Sequence, residues 1–121
     1  MEYDIYFIYI LFVHWIADFI CQTPKMRRCK SHSLSVLFDH WLVYTIVLFV
    51  LSFPFSVEVD GSYMYFLLAN SLTHFFIDLI TSRISKYFFV RDNMKWTMNI
   101  VGLDQILHVI IFFISHNYFL Y

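Results

Sequence analysis

Four long apolar runs occupy most of the chain, at residues 5–20, 34–55, 63–80 and 96–119. A helix needs about 20 residues to cross the hydrocarbon core of a bilayer, or about 17 at the short end. The second and fourth runs meet that length. The first and third reach it by extending into their flanks, which gives approximate spans at 4–22, 34–55, 63–84 and 96–119. Pro24, Asp60-Gly61 and Arg91-Asp92-Asn93 punctuate the gaps. Composition agrees. With 60% hydrophobic and 14% charged residues, a water-soluble domain of this size could not hide its apolar surface. The expectation is an all-α, polytopic membrane protein, a single transmembrane domain over 1–121 built as a bundle of four transmembrane helices. The start, MEYD, has no basic region, and no small-residue cleavage site follows the first run, so that run is expected to be retained.

Charge predicts the orientation. Lys25, Arg27, Arg28 and Lys30 follow the first run, and Arg83, Lys86, Arg91 and Lys95 lie at and beyond the end of the third. Those are all eight basic residues, and the Glu58/Asp60 loop has none. The positive-inside rule puts both basic loops in the cytoplasm and both termini outside it. A formal net charge of −1 offers no argument for nucleic acid. Cys21 and Cys29 fall in or beside one cytoplasmic loop, where free thiols are the default.

The runs are not uniformly apolar. His14 and Asp18 interrupt the first, Asp39 and His40 the second, His74 and Asp78 the third, and Asp104 and His108 the fourth. His116 falls near the outer end of the fourth and is expected at the interface. A carboxylate at mid-membrane costs a few kcal/mol, so such residues face a protein interior and carry function. Three of the four pairs are spaced i, i+4, which puts both side chains on one helix face. Asn70 extends the row in the third span. Asp39 and His40 are adjacent and point about 100° apart, so one of them faces inward fully, and His40 is the choice. Counted from the cytoplasmic end at about 1.5 Å per residue, the polar residues of all four spans reach a similar depth.

HWIADFI (14–20) and HFFIDLI (74–80) match at His, Asp and the final Ile. Each is followed by a basic loop and a returning span with a His near its start. This pattern predicts a duplicated helical hairpin, with a pseudo-twofold axis along the membrane normal.

Imidazole with carboxylate is a ligand set for zinc, and also for manganese or iron. The predicted ligands are His14, Asp18, His40, His74, Asp78, Asp104 and His108, enough for one ion with supporting partners or for two ions. Asp18 and Asp78 are the candidate catalytic carboxylates. Gln22, Lys30, Arg27, Gln105 and Asn70 are candidates for substrate binding, with the basic residues suited to a phosphate or an anionic head group. No G-x-S-x-G, P-loop, dinucleotide fingerprint or H-E-x-x-H occurs.

H-x-x-x-D-F-x-x-Q (His14, Asp18, Phe19, Gln22), Lys30, His40, H-x-x-x-D (His74, Asp78) and D-Q-x-x-H (Asp104, Gln105, His108), in that order, resemble domain-of-unknown-function family 3307. These are small membrane proteins of bacteria and their phages. The resemblance implies that origin and supports the site, and it supplies no substrate. The leading functional expectation is a membrane-embedded metal-dependent hydrolase acting at the cytoplasmic face on a lipid or a phosphorylated small molecule. The rivals are a small oligomeric transporter or ion carrier, and a non-catalytic membrane protein that binds a host partner around a structural metal or a polar network.

Overall fold

The computed structural model describes residues 2–53 and 61–120. The helices are α1 (Glu2–Trp15), α2 (Pro24–Cys29), α3 (Leu34–Ser52), α4 (Gly61–Phe89) and α5 (Met94–Phe119), with a π-helical turn, Ile16–Ile20, continuing α1. No strand occurs among the described residues. The loop expected around Glu58 and Asp60 lies outside them.

Local chemistry sets the helix ends. Thr23 caps α2, with Oγ1 accepting from the Met26 N–H at 3.2 Å, and Pro24 occupies the first turn, where its missing N–H costs nothing. Ser33 caps α3 through Val36, and Asn93 caps α5 through Trp96 at 3.2 Å. The end of α4 is a Schellman motif: Asn93 N–H donates to Phe88 O at 3.0 Å and Asp92 N–H to Phe89 O at 3.1 Å. The motif needs a left-handed residue, and Asp92 supplies it at φ 55°. The turn expected at 91–93 is therefore present.

Three helices, α3, α4 and α5, are long and apolar enough to cross a membrane. The first apolar run differs from expectation, because it is not one α-helix. After 14 residues the hydrogen bonding changes to the five-residue reach of a π-helix, with Cys21 N–H donating to Ile16 O at 2.9 Å. The third run lies in a helix longer than the expected 63–84: α4 has 29 residues, about 44 Å at 1.5 Å per residue, well beyond a bilayer core of about 30 Å. Its last turns carry Arg83 and Lys86 past the apolar stretch.

Packing closes a ring, in which α1 touches α3 and α5, and α4 touches α3 and α5. The interior has two layers. One is an apolar cluster of Ile10, Val13, Ala17, Tyr44, Leu48, Tyr63, Phe66, Leu67 and Phe112. The other is polar and contains the histidines and aspartates. Ile8, Phe12, Ile46, Val50, Leu68, Phe76, Ile106 and Phe113 point outward. Water would not tolerate such a surface, whereas lipid does. Side-chain hydrogen bonds tie the ring together. Trp41 Nε1 donates to Ser71 O at 2.9 Å, Tyr9 OH to Leu51 O at 2.6 Å, and Asn70 Nδ2 to Ser115 Oγ at 2.8 Å.

Two residues of α3 separate interior packing from outward apolarity. Leu48→Ala should cost about 2–5 kcal/mol through the cavity it leaves. Ile46→Ala, on the outward face, should stay within about 0.5 kcal/mol. Thermal melting in detergent reads both.

Candidate metal centre

The polar layer draws one side chain or more from every helix of the ring. His14 comes from α1, Asp18 from the π-helical turn, His40 from α3, His74 and Asp78 from α4, and Asp104 and His108 from α5. All seven are buried, whereas Asp39, next to His40, is exposed. Of the adjacent pair, His40, the residue expected to face inward, is the buried one.

Four of these side chains converge. His40 Nε2 lies 3.1 Å from Asp18 Oδ1, 3.1 Å from Asp78 Oδ2 and 3.3 Å from His74 Nε2. His74 Nε2 lies 3.7 Å from Asp18 Oδ1 and 3.5 Å from Asp78 Oδ2. A tetrahedron with metal–ligand bonds of about 2.0–2.2 Å has edges of about 3.3–3.6 Å. The two imidazole nitrogens and two carboxylate oxygens are therefore spaced much as the ligands of one tetrahedral ion, and this group could hold a metal. Asp18 also belongs to a second such group, with Asp104 and His108. His108 Nε2 lies 3.4 Å from Asp104 Oδ2 and 3.6 Å from Asp78 Oδ1.

Proton bookkeeping disfavours a plain hydrogen-bond network for the first group. A neutral imidazole carries one N–H. At 3.3 Å, only one of the facing nitrogens of His40 and His74 can hold a hydrogen toward the other. The single Nε2 of His40 faces three acceptors, while Nδ1 of His40 and Nδ1 of His74 have no hydrogen-bond partner. A cation at the meeting point would engage all four atoms at once.

His14 is arranged differently and belongs to neither group. Gln105 Nε2 donates to Asp18 Oδ2 at 3.1 Å and to Asp104 Oδ2 at 2.9 Å. That orientation leaves Gln105 Oε1 to accept from His14 Nε2–H at 3.1 Å. With its hydrogen on Nε2, His14 accepts from Tyr44 OH at Nδ1, 2.8 Å away. Both ring nitrogens are thus engaged, and His14 orients Gln105 and Tyr44 around the carboxylates. Tyr44 also stacks on His74, with ring centroids 3.6 Å apart.

Lys30 brings a positive charge to the layer. Its Nζ donates to Asp78 Oδ2 at 3.1 Å. Burial acts to lower its pKa, but the carboxylates of Asp78, Asp18 and Asp104 outweigh burial and hold the ammonium charged above its ordinary value. Thr81 Oγ1 donates to Asp104 Oδ1 at 2.5 Å.

A cavity of about 580 Å³ leads to Asp18, Asp78 and Asp104. Its lining combines the polar Gln22, Arg27, Arg28, Lys30 and Lys86 with the apolar Phe19, Phe89, Val90, Ile100 and Val101. Arg27 and Arg28 are exposed and stand at the rim.

The profile of a protein family of unknown function, DUF3307, matches residues 6–121. The chain belongs to the DUF3307 family. No match was found among curated proteins or among solved structures.

Of the residues singled out in the sequence, Asp18, His40, His74 and Asp78 meet in one group, and Asp104 and His108 join Asp18 in the other. Gln22, Arg27, Lys30 and Gln105 line the cavity. Asn70 does not reach it, since it lies one turn outward of His74 and bonds Ser115 and Phe66 O. Sequence reasoning missed Tyr44, Thr81, Ser82, Arg28 and Lys86. Tyr44 follows His40 by four residues and Thr81 follows Asp78 by three, so helical spacing could have found both.

His40→Ala removes the atom on which the group converges and leaves two buried carboxylates short of a partner. It should cost about 3–5 kcal/mol. Asp39→Ala, one residue away and exposed, should be near neutral, within about 0.5 kcal/mol. Unfolding in mixed micelles compares the two.

Proposed function

We propose that this protein is a membrane-embedded metal-binding protein that works as a metal-dependent hydrolase on a lipid or phosphorylated small molecule. One observation carries the reading: a cavity with a basic rim ends on three carboxylates that belong to two potential metal-binding groups. Two His and two Asp suit zinc, with manganese or iron as alternatives. A bound divalent ion supplies charge neutralisation and an acidified water.

The protein's own groups have separable tasks in this reading. His40, His74, Asp78 and Asp18 hold one ion. Asp104 and His108, with the shared Asp18, hold a second where two are used. Asp18 and Asp78 border the cavity and are placed to accept a proton from a reacting water. Gln105 fixes the carboxylates of Asp18 and Asp104 by donating to both. Arg27 offers positive charge to the departing anion, while Lys30 pairs with Asp78.

We further propose four membrane passes. The segment from Glu2 to Ile20 runs unbroken through α1 and the π-helical turn, exposes Ile5, Ile8, Phe12 and Trp15, and closes the ring. The basic residues then share the cytoplasmic side with the cavity rim, and both termini lie outside. The domain is a duplicated hairpin in this reading. Asp18 meets His40 within the first hairpin at 3.1 Å, and Asp78 meets His108 within the second at 3.6 Å. Across the hairpins, the ring centroids of His40 and His74 are 5.3 Å apart and those of His108 and His14 are 5.1 Å apart.

Two experiments test these proposals. Chelator should lower the melting temperature of the wild-type protein, because a ligand stabilises only the fold that binds it. Asp78→Asn, which keeps size and polarity but removes charge, should respond much less. A wild-type melt indifferent to chelator and to added zinc, manganese or iron contradicts the metal reading. For topology, a cysteine at Lys25 should resist a membrane-impermeant maleimide in intact cells, in a Cys21→Ser, Cys29→Ser background. A cysteine at Asn117 should react. The reverse pattern contradicts the orientation.

A further inference from the structure

We infer that the cavity takes a membrane amphiphile with a phosphate headgroup, the phosphate at the basic rim and one hydrocarbon chain along the apolar wall. The inference deepens the metal-centre reading and rests on it, because three carboxylates at the cavity floor would repel a phosphate unless a cation lay between them.

Three features point to this class of ligand. The first is the mixed character of the lining. Arg27 and Arg28 of α2 and Lys86 of α4 supply positive charge, while Phe19 of the π-helical turn and Ile100 and Val101 of α5 supply apolar surface. A free phosphorylated metabolite needs the charge and gains nothing from the apolar surface, whereas an amphiphile uses both. The second is the supply of charge and hydrogen bonds. Guanidinium groups pair with phosphate oxygens through two parallel N–H bonds. Lys30 is committed to Asp78, but Arg27 has no acidic partner among the described residues, and Arg28 bonds only the Pro24 carbonyl, at 3.3 Å. Ser82, also in the lining, has a buried Oγ without a hydrogen-bond partner. The third is size and place. About 580 Å³ sits within the range of small-molecule sites and is too small to enclose a lipid with two long chains. Phe89, Val90 and Val101, all in the lining, are themselves exposed, so the apolar part of the cavity is open to its surroundings. The remainder of the molecule would stay in the bilayer.

Native mass spectrometry of detergent-released protein can test this with dioctanoyl phosphatidic acid, dioctanoyl phosphatidylcholine and glycerol 3-phosphate as probes, alongside elemental analysis of the same samples. Wild type should bind the phosphatidic acid at least tenfold more tightly than the phosphatidylcholine. The Arg28→Gln, Lys86→Gln double variant should lose that preference and keep its metal. Arg28→Gln alone, at an exposed position where folding is not at risk, should weaken it in the same direction. Val101→Trp, which fills the apolar wall, should weaken phosphatidic acid at least tenfold and leave glycerol 3-phosphate unchanged. Equal binding of the two lipids by protein that carries its metal overturns this inference alone. Glycerol 3-phosphate binding as tightly as phosphatidic acid, with no effect of Val101→Trp, also overturns it and assigns the site to a soluble phosphate. Protein with neither metal nor headgroup preference overturns the metal-centre reading as well.

Discussion

Three buried carboxylates at one level of an apolar bundle are the constraint on which the rest of the structure depends. Each costs a few kcal/mol at membrane depth, and that cost rises if a partner is lost. Lys30 is the one Lys or Arg that contacts them directly among the described residues, through Asp78. The remaining compensation comes from imidazoles, Gln105 and Thr81, and it is incomplete in a telling way. Nδ1 of both His40 and His74 lacks a partner, while their Nε2 atoms crowd together with two carboxylates. An ordinary buried network distributes its donors to satisfy each group. This arrangement concentrates them on a point, as a cation requires.

The ring of helices follows from that constraint. Every helix must bring its polar row to the same level, so the rest of the bundle interior can be apolar, around Tyr44, Leu48, Phe66 and Phe112, while many large apolar side chains face away from it. The π-helical turn falls at Asp18, the carboxylate shared by both groups. Such turns cost hydrogen-bond geometry and recur at functional sites. The far end of α4 outlasts the apolar stretch, and its extra turns form part of the cavity wall.

Much of the site was legible in the sequence because two periodicities carry it. The i, i+4 spacing of His14/Asp18, His74/Asp78 and Asp104/His108 fixes a face, and counting residues from the basic loops fixes a depth. In the second span, where the pair is adjacent, the angle between neighbours said only that one of Asp39 and His40 faces inward, and His40 is the buried one. What could not be read depends on contacts between helices. Nothing in IADFI demands a π-helix, so the change of helix type in the first run was invisible. The engagement of both ring nitrogens of His14 needs Gln105 and Tyr44 from other helices, so His14 looked equivalent to His74. Asn70 shares the face of His74 but lies one turn too far outward for the cavity, and face alone does not report depth. Arg28 and Lys86 looked like topology signals, since a positive residue at a helix end is expected in either role.

The central claim is that the convergence of His40, His74, Asp18 and Asp78 exists to hold a divalent metal. Elemental analysis of protein purified from membranes without added metal tests it most directly. The account predicts about one or two equivalents of zinc, manganese or iron per chain in wild type, with marked loss in His74→Ala. Wild-type protein that is folded, contains no such metal and takes none up on titration would contradict it.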